Sequence, residues 1–151
     1  MLGQESKATI RRVIEGAYNR GDLEGLDELY APHFVYHNRP FPDIEGLETF
    51  KQYIKDIRSA YSDLTFAFYE LIVEGDSAAS LYTFTCTHTG QSPYTLTPAT
   101  GKRVSMAGAA VYHWKHGKVI EEWNNADWLG LLQQTGAVPS VTSRLFSCCG
   151  R

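Results

Sequence analysis

Near residue 64 the apolar residues of this chain change their spacing from helical to alternating. Before that point, Ile10, Val13, Ile14, Ala17 and Tyr18 fall on one face at helical spacing. Asn19-Arg20-Gly21-Asp22 closes this first helix, and Asp22 can cap a second whose apolar face uses Leu23, Leu26, Leu29 and Tyr30. Phe34-Val35-Tyr36-His37 reads as a short strand and Pro40-Phe41-Pro42-Asp43 as a rigid loop. A third helix follows Gly46, burying Leu47, Phe50, Ile54, Ile57 and Tyr61.

Beyond the switch the pattern predicts strands at Leu64–Val73, Ala78–His88, Lys102–Lys115 and Lys118–Asp127. Glu74-Gly75-Asp76 and His116-Gly117 are tight-turn signals, so consecutive strands pair antiparallel. Thr89–Gly101, rich in Gly, Pro, Ser and Thr, is a long connection that reads as a rim or lid. Leu129–Gln134 forms a last short helix ended by Gly136, and residues 138–151 read as a loosely ordered C-terminal tail after one domain at 1–137. Helices first and strands afterwards predict an α+β domain with helices on one face of an antiparallel sheet, which can leave a hollow at its open end.

Composition narrows what such a hollow serves. The formal charge of −3 and the absence of a Lys/Arg stripe argue against nucleic acid. No apolar stretch reaches the roughly 18 residues that span a bilayer, and the N-terminus lacks a signal-peptide pattern. The three cysteines, Cys86, Cys148 and Cys149, make no disulfide framework, so a cytoplasmic location is expected. Cys148 stands at a prenylation position, but Gly150 and Arg151 fit that motif poorly. The five histidines show no metal-ligand spacing, and Cys86 reads as core.

From His33 to Gly136 the chain resembles the SnoaL-like polyketide cyclases of the nuclear-transport-factor-2-like superfamily. The segments that carry the likeness are Tyr61-Ser62-Asp63-Leu64, Glu74-Gly75-Asp76, Thr87-His88-Thr89-Gly90 and Thr100-Gly101-Lys102-Arg103-Val104. The densest is His116-Gly117-Lys118-Val119-Ile120-Glu121-Glu122-Trp123, continuing through Asp127 to Leu129-Gly130-Leu131-Leu132-Gln133-Gln134-Thr135-Gly136. The resemblance implies a cone-shaped curved antiparallel sheet wrapped around N-terminal helices, a cystatin-like α+β barrel, paired as a homodimer through its outer sheet face. It also implies ring closure of a polyketide ester by intramolecular aldol condensation, without metal or organic cofactor. The family's acid/base aspartate falls on Asp127 and its substrate-binding histidine on His113. A glutamine two residues before that histidine is replaced here by Val111, and the polar residue of the first short strand falls near His37 or Asn38.

The strand pattern offers its own check on Asp127 and His113. A plain two-residue loop at His116-Gly117 would put His113 opposite Ile120 and turn Asp127 to the other face. A three-residue loop with a bulge shifts the pairing by one, placing Asp127, His113, Val111, Glu121 and Trp123 on a common face. On the bulged reading that face looks into the hollow, with Tyr53, Tyr82, Phe84 and His88 as further lining and Asp127 raised in pKa by desolvation. Other readings stay open. Asp127 can simply cap the last helix. His113 can serve a backbone carbonyl, and His88 can be a strand-end histidine. Of Glu121 and Glu122, alternation admits only one inside.

The expected function is a cofactor-independent cyclase or isomerase of a small carbonyl compound, polyketide- or terpenoid-like. The alternatives are a non-catalytic binding module, an epoxide-opening hydrolase drawing on Arg39 or Arg103, and an interaction domain using Tyr112, Trp114 and Met106 as its patch.

Overall fold

The computed structural model describes residues 2–92 and 94–140. In chain order the elements are α1 (Leu2–Arg20), α2 (Leu26–Leu29), β1 (Tyr30–Asn38), β2 (Ile44–Glu45), α3 (Leu47–Ala60), β3 (Tyr61–Glu74), β4 (Ser77–His88), β5 (Arg103–Lys115), β6 (Lys118–Ala126) and α4 (Trp128–Thr135). The fold is the expected α+β one: a six-stranded curved sheet, ordered β2-β1-β6-β5-β4-β3, covered on its inner face by α1 and α3. The β-rich half pairs as two tight hairpins around the β4–β5 ladder, all antiparallel. β1 is the exception, running parallel to β6, because the chain reaches it through the helical segment rather than through a hairpin. No helix of the described residues is long and apolar enough to cross a membrane. The expected tail lies largely outside the described residues, which end at residue 140 and so exclude Cys148 and Cys149.

Local chemistry explains where the elements stop. Gly46 precedes α3 with a φ of 86°, a conformation open to glycine at little cost. Gly136 closes α4 in the left-handed region, and its N–H donates to Gln133 O. Asp22 does not cap α2. The N-cap is Gly25, without a side-chain bond, and Asp22 Oδ1 accepts from Gly25 N at 3.3 Å instead. That helix is one turn long, and Tyr30 and Tyr61, which helical spacing placed in helices, each begin a strand.

Strand β3 is a sheet edge, and α1 covers it with polar side chains. The Asn19 amide accepts from Phe66 N at 2.6 Å and donates to Phe66 O at 3.0 Å, completing a backbone that has no neighbouring strand there. Arg11 Nη1 donates to Phe68 O at 3.3 Å.

Candidate active site

The site begins with the β5–β6 hairpin. His116 and Gly117 both take positive φ, 52° and 77°, so the loop has two residues and pairs Lys115 with Lys118. One bulge follows: Trp114 pairs with Val119, but His113 pairs with Glu121, leaving Ile120 extra. The expected three-residue loop is therefore absent, yet the bulge restores the expected parity. Val111 lies opposite Trp123, His113 opposite Glu121, and Asp127 donates its N–H to Ala107 O, so all five residues share one face.

That face is the outside of the sheet. Trp123 is 40 % exposed and Val111 39 %. Asp127 is exposed and is the N-cap of α4, its Oδ1 accepting from Gly130 N at 2.8 Å. His113 is half-buried at the surface, its Nδ1 3.2 Å from Ser77 Oγ. The expectation that Asp127 and His113 look into a dry hollow is not met, since Asp127 is exposed and His113 half-buried on the outer face. Glu121 and His37 are on the same outer side. The His37 ring stacks on Trp123 at 3.8 Å, with Nε2 3.1 Å from Glu121 Oε1. His37 Nδ1 is 3.0 Å from Asp43 Oδ2 but out of hydrogen-bond alignment with it. Arg39 and Arg103 pair with Asp43 and Asp63 at the surface, so neither bridges carboxylates in the hollow.

The opposite face of β4, β5 and β6 meets the helices, and there the hollow forms. Tyr82 and Phe84 from β4 and Tyr53 from α3 line it, as expected. Tyr112 and Met106, read from the pattern as a candidate exposed patch, line it too and are buried, while the third member of that patch, Trp114, is half-buried and packs on Tyr112. His88 is fully buried behind the wall, stacked on Tyr61 with its Nδ1 3.1 Å from Thr100 Oγ1. Burial lowers its pKa, which keeps the ring neutral. Cys86 is core, its thiol pushed by burial up to about 12.

Seven tyrosines line the hollow: Tyr18, Tyr30, Tyr36, Tyr53, Tyr61, Tyr82 and Tyr112. A single carboxylate stands among them, that of Glu122, which alternation turns inward where it turns Glu121 outward. Glu122 is 6 % exposed, and Tyr30 Oη donates to its Oε2 at 2.7 Å. Desolvation by burial pushes its carboxyl up to about 8, partly offset by that hydrogen bond. Burial also pushes the tyrosine hydroxyls well up, so they remain neutral donors.

Behind the tyrosines runs a buried amide chain. Tyr82 Oη donates to Asn124 Oδ1 at 2.6 Å, and Asn124 Nδ2 donates to Asn38 Oδ1 at 2.9 Å. Asn38 Nδ2 donates to Tyr53 Oη at 3.2 Å. Asn38 thus belongs to the site, though as support behind Tyr53 rather than as lining. Gly108 makes room for this arrangement, since a Cβ there would lie 2.3 Å from Tyr82 Cζ and Oη. Three aromatic rings from separate segments pack together beside the Tyr53 and Trp128 side of the hollow. Phe41 from the Pro40–Asp43 loop meets Trp128 of α4 at 4.9 Å and Tyr94 of the 89–101 connection at 5.6 Å. Tyr94 also packs on Tyr53 at 5.0 Å.

As the side chains stand, the space open to the centre of a water molecule inside is about 30 Å³. That is room for one or two waters, so an organic ligand enters only if lining side chains turn aside.

Asn124 and Trp128 were not singled out in the sequence, and of Glu121 and Glu122, of which alternation admits one inside, the inward member is Glu122 and not the expected lining residue Glu121. The signal available was the pairing of Glu122 with Tyr112, since the bulky alternate residues Val104, Met106 and Tyr112 mark the inner side of β5 better than Ser105, Ala107 and Ala109 do.

A six-stranded curved sheet folded over N-terminal helices around an aromatic-walled hollow defines a protein of the nuclear-transport-factor-2-like fold class. The model of the SnoaL-like polyketide cyclases matches residues 8–135, and the chain belongs to that family. Among solved structures it is similar to TsrD from Streptomyces laurentii, with 29% identity and a TM-score of 0.81 over 91% of this chain and 100% of that one. AclR, a provisionally assigned hydroxylase from Streptomyces galilaeus, shares 26% identity at a TM-score of 0.79 over 94% and 87% of the two chains. IdmH, a provisionally assigned polyketide cyclase from Streptomyces antibioticus, shares 25% identity at 0.73 over 88% and 99%. The search of curated proteins found no match.

Proposed function

We propose that the protein is a cofactor-independent cyclase that moves a proton next to a carbonyl of a small polyketide- or terpenoid-like molecule, with Glu122 as the acid/base. The observation that carries this reading is the lone carboxyl of the hollow, buried among tyrosines and pushed up to about 8. A base of that strength is matched to proton transfer near neutral pH. Membership in the family supports the cyclase class; the role of Glu122 rests on its burial.

The reaction balances on this one group. Ionised Glu122 takes a proton from the carbon beside a carbonyl, and the electron pair moves to that oxygen as an enolate. The enolate carbon attacks a second carbonyl of the same molecule, and the new alkoxide takes the proton back. Tyr30 holds Oε2, leaving Oε1 for the substrate. We also propose that two copies pair through the outer sheet face, whose Ile72, Leu81, Val111 and Trp123 stand exposed.

Deuterium exchange at the methyl group of 2-acetylnaphthalene tests the acid/base reading without knowledge of the natural substrate. Wild type and Asp127→Asn should exchange well above buffer, and Glu122→Gln should fall to the buffer rate. Loss of exchange in Asp127→Asn with retention in Glu122→Gln reverses the assignment. Saturable binding with no exchange in the wild type leaves a binding module instead.

A further inference from the structure

The amide chain behind the hollow has a direction, and one group sets it. The indole Nε1–H of Trp128 can only donate, and it points at Asn38 from 3.4 Å. The Asn38 atom facing it must therefore be the carbonyl oxygen, which puts the Asn38 NH2 toward Tyr53. Because Asn38 Oδ1 also faces Asn124, the Asn124 atom meeting it must be the NH2. Asn124 Oδ1 is then left for Tyr82, whose hydroxyl has to donate. The two ends of the chain come out unlike. The Tyr82 proton is spent on Asn124, whereas the Tyr53 oxygen receives a hydrogen bond and keeps its proton.

Both hydroxyls belong to residues lining the same hollow. Receiving a bond from Asn38 makes the Tyr53 hydroxyl a stronger donor, because hydrogen bonds in a buried chain polarise one another. Asn38, Asn124 and Trp128 are themselves buried, with no more than 6 % exposure, so the direction is not scrambled by solvent. The Tyr36 hydroxyl is a further hydrogen-bond partner of Tyr53, and like the Asn38 bond it favours the charged oxygen, as a bond donated to Tyr53 does.

We infer that Tyr53 is the hydrogen-bond donor that receives the carbonyl oxygen of the ligand, and the enolate oxygen formed from it, with Asn38 and Trp128 as positioning residues. This rests on the reading of the hollow as a carbonyl acid/base site. A donor aimed where negative charge develops lowers the barrier to enolisation, while a tyrosine whose proton is already committed cannot do so. The ligand class is thereby narrowed to molecules that present a ketone or ester oxygen at the α3 side of the hollow, opposite in role to the carbon that meets Glu122.

The test compares 2-acetylnaphthalene, labelled with ¹³C at its carbonyl, with 2-isopropenylnaphthalene, which has the same shape and no acceptor oxygen. The wild type should bind the ketone about tenfold more tightly than the alkene, the worth of one good buried hydrogen bond. Tyr53→Phe should abolish that preference and move the bound carbonyl resonance to where it lies in a hydrocarbon solvent. Tyr82→Phe should keep both the preference and the resonance, and Glu122→Gln should keep the preference while losing deuterium exchange. A preference that survives Tyr53→Phe, or falls equally in Tyr82→Phe, overturns the assignment, as does failure of either compound to bind. Absence of exchange in a wild type that shows the expected Tyr53 dependence refutes the Glu122 reading and leaves Tyr53 as the donor.

Discussion

Replacing Glu122 by Gln should shift stability toward the variant as pH rises, from a small net loss near pH 5 to a net gain at pH 8. The carboxyl is pushed up to about 8 in the fold from an ordinary value of 4.5. Between those values the folded state holds a proton that the unfolded chain has released, so wild-type stability falls as pH rises through the window. At 1.36 kcal/mol per pH unit, the loss is about 1 kcal/mol at pH 5 and about 4 kcal/mol at pH 8. Gln carries no titrating proton. It keeps an oxygen for the Tyr30 hydroxyl and costs about 1–3 kcal/mol, independent of pH, for its unpartnered NH2. The difference between variant and wild type should therefore move in the variant's favour by about 3 kcal/mol from pH 5 to pH 8, which corresponds to roughly 6–12 °C in Tm for a chain of this size. Other titrating groups are common to both proteins and cancel. Urea unfolding of the two proteins at pH 5, 6, 7 and 8 measures the gap directly. A gap constant across that range would mean that Glu122 titrates normally, and both its burial and its acid/base role would have to be abandoned.

Asp127→Ala should cost about 1 kcal/mol through loss of the α4 cap, measured by urea unfolding, while leaving deuterium exchange near the wild-type rate. Gly108→Ala should cost about 1–3 kcal/mol in urea unfolding, because the new methyl lands on the Tyr82 phenol. Phe41→Ala removes one of the three rings packed beside the hollow and should speed association of 2-acetylnaphthalene in stopped-flow fluorescence with little change in exchange rate once bound. Trp123→Glu places a charge in the exposed outer patch and should shift sedimentation equilibrium toward the monomer; an unchanged mass would refute pairing through that face.

Much of the fold was legible because its signals are local. The turn at His116-Gly117, the helical faces of α1 and α3, and the period of two in β3 to β6 each follow from residues a few positions apart. The expected grouping of His113, Val111, Glu121, Trp123 and Asp127 also held, although the shift came from a bulge at Ile120 rather than from a longer loop. What failed was the choice of side. A tryptophan, a valine and a histidine made the outer face of β5 and β6 look like the lining, while the inner face of β6 offers Glu122 and Asn124, residues that ordinarily point to water.

Alternation along a strand fixes which residues travel together, and this the sequence decided by itself. Which of the two faces becomes interior depends on where α1 and α3 dock, a matter of packing between distant segments. The inward polar groups are tolerable only through partners far along the chain: Tyr30 for Glu122 at 92 residues, Asn38 for Asn124 at 86, and Tyr82 for Asn124 at 42. A buried carboxyl or amide costs little when its partner is present and several kcal/mol when it is not. No local pattern reports those partners, so the identity of the acid/base and the direction of the hydrogen-bond chain exist only in the folded molecule.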